Sequence, residues 1–166
     1  MGPWHALAHE HGVSLQEVVE PILSTATTRA LPTEWYGDYD TQRTLDWIVA
    51  RDAESPTLLV IDRPTGAAIG LIILFEDRAG GHAAVDLRLG YLLAESTWGA
   101  GYGTELVEGF VAWALDVDEI HTVSGGVATD NPASARVLLK NGFALVGESA
   151  NGEHLYQLDV GGPSGR

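Results

Sequence analysis

The chain has 166 residues, 45% of them hydrophobic and 19% charged, which is enough to bury the core of one globular domain. Its 23 acidic and 9 basic side chains give a formal net charge of −14, which disfavours nucleic acid and anionic membranes as partners and favours a cationic one. An acidic, lysine-poor surface equally suits a high-salt or GC-rich source. The absence of cysteine excludes disulfides, thiolate metal sites and a cysteine nucleophile.

The N-terminal residues carry weak helical signals and no targeting signal. Ser14 is placed to cap a short helix over residues 15 to 23, broken or bent near Pro21. The histidines before it, His5, His9 and His11, have metal-like spacing but no carboxylate framework, so we expect an irregular tail and no metal. No apolar run approaches the roughly 20 residues of a membrane span, and we expect a cytoplasmic protein.

A second helix is predicted after an aromatic, turn-rich loop over residues 31 to 40. Asp40 or Thr41 would cap it. Its apolar face is expected at Leu45, Ile48 and Val49, at i, i+3, i+4 spacing.

The middle of the chain predicts a strand meander followed by a helix. Residues 57 to 62 and 67 to 76 form a predicted hairpin, a turn follows at 77 to 81, and residues 82 to 93 alternate like a third strand. After a glycine-rich segment, a helix ending near Asp116 is predicted from the spacing of its apolar residues, Leu106, Phe110, Trp113 and Ala114.

The C-terminal third predicts a strand, a helix and a closing hairpin. The strand covers residues 120 to 127, and the helix lies within NPASARVLLKNGF, capped by Asp130 or Asn131 and stopped by Gly142. Residues 144 to 148 and 154 to 160 pair across a turn. The order ααβββαβαββ predicts an α/β fold, α+β mixed, with helices on the faces of a mixed sheet. We expect a single domain over residues 1–160 and a disordered tail at 161–166.

The segment STWGAGYGTELV, residues 96 to 107, places three glycines on alternate positions before a helix. Gly in this density indicates positive φ angles or a ligand against main-chain N–H groups. A dinucleotide-binding loop would need a glycine where Thr104 stands, and a Walker loop would need a lysine. A strained turn without a ligand and a nest of N–H groups that binds an anion at the helix N-terminus remain equally open.

Three segments together resemble the GNAT N-acetyltransferase superfamily, and more narrowly its RimJ/RimL-type branch of ribosomal-protein N-terminal alanine acetyltransferases. The segments are LRLGYLL, WGAGYGTE and NPASARVLLKNGF, and the resemblance covers residues 83 to 148. The branch signature W-G-x-G-Y-[AG]-T-E and a second motif are matched at Trp98, Gly99, Gly101, Tyr102, Gly103, Thr104, Glu105, Asn131, Ser134, Val137, Leu138, Lys140, Gly142 and Phe143. The family's first strand is not recognisable before residue 40.

The resemblance implies a central, mostly antiparallel sheet of about six to seven strands, splayed between the strand before the glycine loop and the next strand. It implies acetyl-coenzyme A as co-substrate, with the pyrophosphate on the loop of Trp98, Gly99, Ala100, Gly101, Tyr102, Gly103 and Thr104. The pantetheine arm would pair with backbone near Leu92 and Leu93 and contact Asn131. Arg136 and Lys140 are placed at i, i+4 to reach the 3′-phosphate, although they equally suit a helix C-terminal half.

Acetyl transfer requires a neutral amine, a stabilised oxyanion and protonation of the departing thiolate. Backbone N–H near Leu92 or Leu93 is the expected oxyanion donor, and Ser134 stands where the branch places a hydroxyl near the sulfur. Asp86 is the first candidate for the base, with Arg88 beside it as countercharge. Glu76, Glu148 and water are alternatives.

The acceptor is expected to be a primary amine, on a protein N-terminus or another molecule. Trp35 and Tyr36 would wall its site, as loops there do in the family. A small-molecule acceptor such as a polyamine or amino sugar would suit the acidic charge, and a non-catalytic acyl-coenzyme A sensor is a third hypothesis. Either a monomer or a homodimer is compatible with the sequence.

Overall fold

The computed structural model describes residues 1–29, 31–77 and 85–161. In these ranges the helices are α1 (Trp4–Glu10), α2 (Leu15–Val19), α3 (Thr25–Thr28), α4 (Thr41–Glu54), α5 (Tyr102–Leu115) and α6 (Pro132–Lys140). The strands are β1 (Gly2–Pro3), β2 (Thr57–Ile61), β3 (Ala68–Asp77), β4 (Val85–Leu93), β5 (Ile120–Val127), β6 (Ala144–Glu148) and β7 (His154–Asp159). Short 3₁₀ turns cover Glu20–Ile22, Thr33–Trp35 and Glu95–Thr97. The predicted turn at 77 to 81 and the start of the predicted strand at 82 fall mostly outside the described residues, as does all but the first residue of the predicted tail.

The strands form a seven-stranded mixed sheet in the order β1-β2-β3-β4-β5-β7-β6. Antiparallel pairing joins β1 to β2, β2 to β3, β5 to β7 and β6 to β7, whereas β4 and β5 are parallel. The predicted mixed, mostly antiparallel sheet with helices is therefore confirmed. No helix in the described ranges has the length and apolar character needed to cross a bilayer.

The chain separates into two compact units. The first comprises Met1–Leu74 and Tyr91–Trp98, and the second comprises Phe75–Gly90 and Gly99–Arg166. The expectation of one domain over residues 1–160 stays a prediction.

The core of the first unit is built from helices α1, α2 and α4 with strands β2 and β3. Tryptophan and aliphatic side chains fill it: Trp4, Val19, Ile22, Leu23, Trp47, Ile48, Leu59, Leu71, Ile73 and Leu92. In the second unit, Val107 and Phe110 of α5, Val123 of β5 and Leu138 of α6 are almost completely buried. Burial of this apolar area supplies most of the stabilising free energy of each unit.

Local sequence signals account for where several helices begin and end. Ser14 and Glu17 form a capping box at the start of α2, and this helix passes into the 3₁₀ turn at Pro21, as predicted. The Asp40 carboxylate accepts the backbone N–H of Arg43 at 2.8 Å and caps α4.

The N-terminal residues are ordered, contrary to the expected irregular tail. Gly2 and Pro3 pair with β2, and α1 follows at once with Trp4 only 3% exposed. The Trp4 indole Nε1–H donates to Asp52 of α4 at 3.0 Å, and the His5 ring lies 2.8 Å from the same carboxylate. The partners that order this segment lie some 50 residues away in sequence, which is why local patterns missed them.

The buried face of α4 also differs from the prediction. Ile48 is buried, but Leu45 is 43% and Val49 69% exposed. The buried face instead carries Thr44, Trp47 and Arg51 with Ile48. The large side chain of Trp47 determines which face of α4 is buried. Its ring meets Trp4, Trp35 and Tyr39 edge to face, at centroid distances of 6.0, 5.6 and 6.5 Å.

Candidate active site

The glycine-rich loop has the backbone that its composition predicted. Gly99 and Gly101 have φ angles of 76° and 92°, in the left-handed region, and Gly101 directly precedes α5 as its N-cap residue. A Cβ atom added at either residue would meet nothing within 4 Å. The backbone angle, and not crowding, therefore requires glycine at these two positions.

The loop before α5 is open to solvent. Gly99, Ala100 and Gly101 are exposed, and the N–H groups of Thr104 and Glu105 both donate to the Gly101 carbonyl, at 3.0 and 3.2 Å. The N-terminus of a helix carries a partial positive charge, and its first N–H groups suit an anion. Tyr102, Gly103 and Thr104 are half-buried within this turn.

Before the loop, Trp98 is tied to the end of β4. Its side chain is 52% exposed, and its indole Nε1–H donates to the Leu93 carbonyl at 2.8 Å. Leu92 is buried in the first unit's core, and its carbonyl oxygen would lie 2.4 Å from a Cβ atom at Gly70. The Leu92 carbonyl thus packs against Gly70, and the Leu93 carbonyl is hydrogen-bonded to Trp98.

The parallel pairing of β4 with β5 is short. It runs from Val85 opposite Ile120 to Arg88 opposite Ser124, with an irregularity after Val85. Gly90 and β5 residues up to Val127 extend beyond it, and the described residues give them no further register pair between these two strands. The register pairs between β4 and β5 therefore end at Arg88 and Ser124, and the predicted divergence of the two strands stays a prediction.

Helix α6 carries four predicted site residues. The Asn131 side-chain oxygen accepts the backbone N–H of Ser134 at 3.1 Å, which makes Asn131 the N-cap and leaves its amide group for other partners. Ser134 is half-buried in the first turn. Arg136 and Lys140 are exposed on this helix, and neither forms an ion pair with any residue of the described ranges.

In the structure, the side chains of Asp86 and Arg88 each bond to a residue of another segment. The Asp86 carboxylate accepts the Thr122 hydroxyl, from the neighbouring strand. The Arg88 guanidinium forms an ion pair with Glu153, with 3.2 Å between Nη2 and Oε2. Asp86 and Arg88 do share one exposed face of β4, as the alternation predicted, but the ion-pair partner of Arg88 is Glu153, which the sequence did not single out.

The alternative carboxylates lie at strand ends. Glu76 is exposed near the end of β3, and Glu148 is exposed at the end of β6. Glu148 contributes to the turn of the closing hairpin, where its Oε1 would lie 3.6 Å from a Cβ atom at Gly152.

The two predicted acceptor-site aromatics differ in their environments. Trp35 is half-buried against the core: its ring meets Trp47, the Arg51 guanidinium carbon lies 4.0 Å from its centroid, and its carbonyl accepts the Tyr39 hydroxyl at 2.9 Å. Tyr36 is 50% exposed. Trp35 therefore has a packing role that is visible in the contacts.

An acidic cleft that the sequence did not predict lies in the first unit. It has a volume of about 700 Å³ and is lined by Gln16, Glu17, Glu20, Pro21, Leu23, Ser24, Asp38, Tyr39 and Thr41. Three of these residues are acidic and none is basic. The charge of the GDYD segment hinted at it, but only the folding of α2 toward the start of α4 brings the acids into one cleft. In the described part of the chain, no three histidine, aspartate or glutamate side chains come together in a way that could hold a metal ion.

Comparison with known proteins identifies the class of this chain. The sequence model of the acetyltransferase (GNAT) domain matches residues 12–144. None of the curated protein sequences compared with the chain is similar enough to count as a relative.

Solved structures share the fold at low sequence identity. A GNAT-family acetyltransferase from Bacillus anthracis superposes with a TM-score of 0.71 at 17% identity, over 87% of this chain and 89% of that one. A phosphinothricin acetyltransferase from Sinorhizobium meliloti, in complex with AcCoA, gives 0.66 at 16% identity over 91% and 86%. A Vibrio cholerae protein provisionally described as a ribosomal-protein-serine acetyltransferase gives 0.66 at 16% identity over 87% and 89%.

The chain belongs to the GNAT acetyltransferase family. It is an acyltransferase enzyme of this class, whose members use acetyl-coenzyme A.

Proposed function

We propose that the enzyme transfers the acetyl group of acetyl-coenzyme A to a primary amine, with the cofactor's pyrophosphate on the loop from Gly99 to Thr104. The observation that carries this proposal is the pair of left-handed glycines, Gly99 and Gly101, directly before the N-terminus of a 14-residue helix. Such a loop offers N–H groups and the helix dipole to an anion without any basic side chain. An anion-binding loop that needs no basic side chain suits a chain with a net charge of −14, in which basic side chains are few.

The remaining cofactor contacts are proposed on α6 and at the end of β4. The Asn131 amide would hold the pantetheine arm, since only its carbonyl oxygen is used in capping. Arg136 and Lys140 are exposed on one helix and are proposed to face the 3′-phosphate. Leu92 and Leu93 would offer backbone groups to the pantetheine arm.

Bound acetyl-coenzyme A supplies an activated thioester. Side chains and backbone groups of the protein would donate and accept the protons of the reaction. A backbone N–H near Leu92 or Leu93 is proposed to stabilise the oxyanion, and the Ser134 hydroxyl to donate a proton to the departing thiolate. Asp86 remains a candidate to accept the proton of the amine.

The leading acceptor is a protein N-terminus, because the loop sequence resembles that of the RimJ/RimL-type branch. The Vibrio cholerae neighbour, provisionally described as a ribosomal-protein-serine acetyltransferase, adds weak support. A small cationic amine is the second candidate, and the acidic cleft with Glu17, Glu20 and Asp38 favours it.

The test begins with calorimetric titration of the purified enzyme with acetyl-coenzyme A. We expect micromolar binding that Gly101→Glu weakens at least about tenfold, equivalent to about 1.4 kcal/mol, because a carboxylate then occupies the anion loop. Gly109→Glu is the matched control: it adds the same charge to an open position of the same helix, two turns further on.

The second stage measures thiol release with peptides that begin with serine or alanine, with polyamines and with amino sugars. The chain has no cysteine, so a thiol reagent detects coenzyme A without a background from the protein. Binding that Gly101→Glu and Gly109→Glu weaken equally would contradict the loop assignment, and no thiol release with any amine would contradict N-acetylation.

A further inference from the structure

An ion pair lies at the point where β4 and β5 stop pairing. Arg88 is the last β4 residue in register with β5, opposite Ser124. Its guanidinium Nη2 lies 3.2 Å from Glu153 Oε2, in the turn that precedes β7. The side chains are 53% and 28% exposed, respectively, so the carboxylate is the more enclosed member of the pair.

Gly126 of β5 makes room for this pair. A Cβ atom at Gly126 would lie 2.8 Å from Arg88 Nη2 and 2.9 Å from Glu153 Oε2, closer than real Cβ contacts. The two charged groups therefore lie directly over the β5 backbone, two residues beyond the last β4–β5 pair.

The backbone of Glu153 is hydrogen-bonded on both sides, and one of its side-chain oxygens has no bond from the described residues. Its backbone N–H donates to Ser149 Oγ at 3.1 Å, and its carbonyl accepts the Ser149 N–H at 2.8 Å. Its Oε2 faces Arg88, whereas no residue of the described ranges bonds to Oε1. Glu148 and His154, a register pair of the same hairpin, are titratable groups within five residues of it in the sequence. A carboxylate that meets an arginine through one oxygen, and whose other oxygen has no bond from the described residues, suits recognition of an ammonium group.

We propose that Glu153 binds the ammonium group of the acceptor and accepts its proton, with Arg88 holding the carboxylate in place. This inference rests on the proposed function, in which the acetyl group reaches the divergence of β4 and β5. One proton passes from R–NH₃⁺ to Glu153, the neutral nitrogen then attacks the thioester carbon, the N–C bond forms and the C–S bond breaks. The second amine proton leaves the nitrogen as the thiolate gains one, and Glu153 returns its proton to water.

Asp86 is less well placed for this role. It lies two residues before Arg88 on β4, directly after the register irregularity at Val85, and its carboxylate accepts the Thr122 hydroxyl. Successive residues of a strand advance about 3.3 Å, so Asp86 lies about 6.6 Å behind the last pair along the strand.

The test compares Glu153→Gln with the wild-type enzyme from pH 6 to 9.5, using thiol release and the best amine of the panel. We expect kcat/KM to fall about 100-fold at pH 7 and less than about tenfold at pH 9.5, where more of the amine is already neutral. Affinity for the amine, measured calorimetrically on enzyme saturated with desulfo-coenzyme A, should fall about tenfold. Affinity for acetyl-coenzyme A should stay within about twofold.

A second variant keeps both charges and moves them. Gly126→Ala should fold, because the atoms it displaces are the ends of flexible side chains, and kcat/KM should fall by about tenfold or more with an unchanged melting temperature. Glu108→Gln, an exposed α5 residue, removes the same charge elsewhere and should leave kcat/KM within about twofold.

Three results overturn the proposal in distinguishable ways. An active wild-type enzyme whose Glu153→Gln variant stays within about threefold at every pH removes Glu153 from the reaction. A large loss in Asp86→Asn alone assigns the proton to Asp86. A wild-type enzyme that transfers no acetyl group overturns the proposed function and this inference with it.

Discussion

The guanidinium of Arg51 lies 4.0 Å from the ring centroid of Trp35 and is 3% exposed to solvent. Its Nη1 lies 2.8 Å from Glu54 on the same helix, yet Nε and Nη1 have no aligned hydrogen-bond partner among the described residues. A cation in this environment gains from the aromatic faces but loses its hydration, so its main contribution should be packing of its long stem.

We therefore expect Arg51→Ala to lower the free energy of unfolding by about 3 kcal/mol, because it leaves a cavity beside Trp35 and Trp47. Arg51→Met, which keeps a stem of similar length and removes the buried charge, should lose less than about 1 kcal/mol. Urea denaturation of both variants measures the difference. Equal losses would mean that the charge on the aromatic rings, and not packing, holds this part of the fold.

Substitutions at two glycines, Gly101 directly before α5 and Gly109 inside it, should separate the effect of backbone strain from that of helix propensity. Gly101 has a φ of 92°, and Gly109 lies inside α5; a Cβ atom at either meets nothing within 4 Å. Gly101→Ala should destabilise the protein by about 1–2 kcal/mol because alanine is strained in the left-handed region. Gly109→Ala should stabilise it by about 0.5–1 kcal/mol. Thermal and urea denaturation measure both, and stabilisation by Gly101→Ala would contradict the left-handed turn.

Sequence alone predicted the elements whose signals are local. The start of α6 at Asn131 and Pro132 and the limits of β5 came out as predicted, because caps, prolines and apolar runs act within a few residues. Positive φ angles were one of the two predicted explanations for the density of glycines, and Gly99 and Gly101 have them.

Relationships between distant residues could not be predicted in this way. The exposed Val49 and buried Arg51 reflect an aromatic cluster that α4 forms with Trp4 and Trp35, which no helical periodicity contains. Glu153 escaped notice because its partner Arg88 is 65 residues away and the turn before β7 has no motif. The acidic cleft was missed for the same reason, since its acids come from separate segments.

The alkaline stability of the protein should depend on Tyr39. Burial raises the pKa of Tyr39 above its usual value of 10.0, while the nearby Arg43 and Arg51 act in the opposite direction. Since the unfolded chain ionises first, the stability from neutral Tyr39 is fully present below about pH 10 and is lost as the pH rises through the folded pKa.

Tyr39→Phe should therefore show a smaller loss of stability above pH 10, together with a loss of about 1 kcal/mol at neutral pH from the missing hydrogen bond to Trp35. Urea denaturation from pH 7 to 11 measures both effects. A parallel decline of variant and wild type above pH 10 would contradict the raised pKa.

Substitutions at Asn131 should separate helix capping from cofactor binding. The side-chain oxygen of Asn131 caps α6 through the Ser134 N–H, while the amide nitrogen is proposed to hold the pantetheine arm. Asn131→Asp keeps an oxygen for the cap and removes the amide donor, so stability should stay within about 0.5 kcal/mol. The affinity for acetyl-coenzyme A should nevertheless fall about tenfold, because a donor is lost and a negative charge is added. Asn131→Ala removes both functions and should also lose about 1 kcal/mol of stability. Urea denaturation and calorimetric titration of the two variants test these effects separately, and unchanged affinity in Asn131→Asp would restrict Asn131 to capping α6.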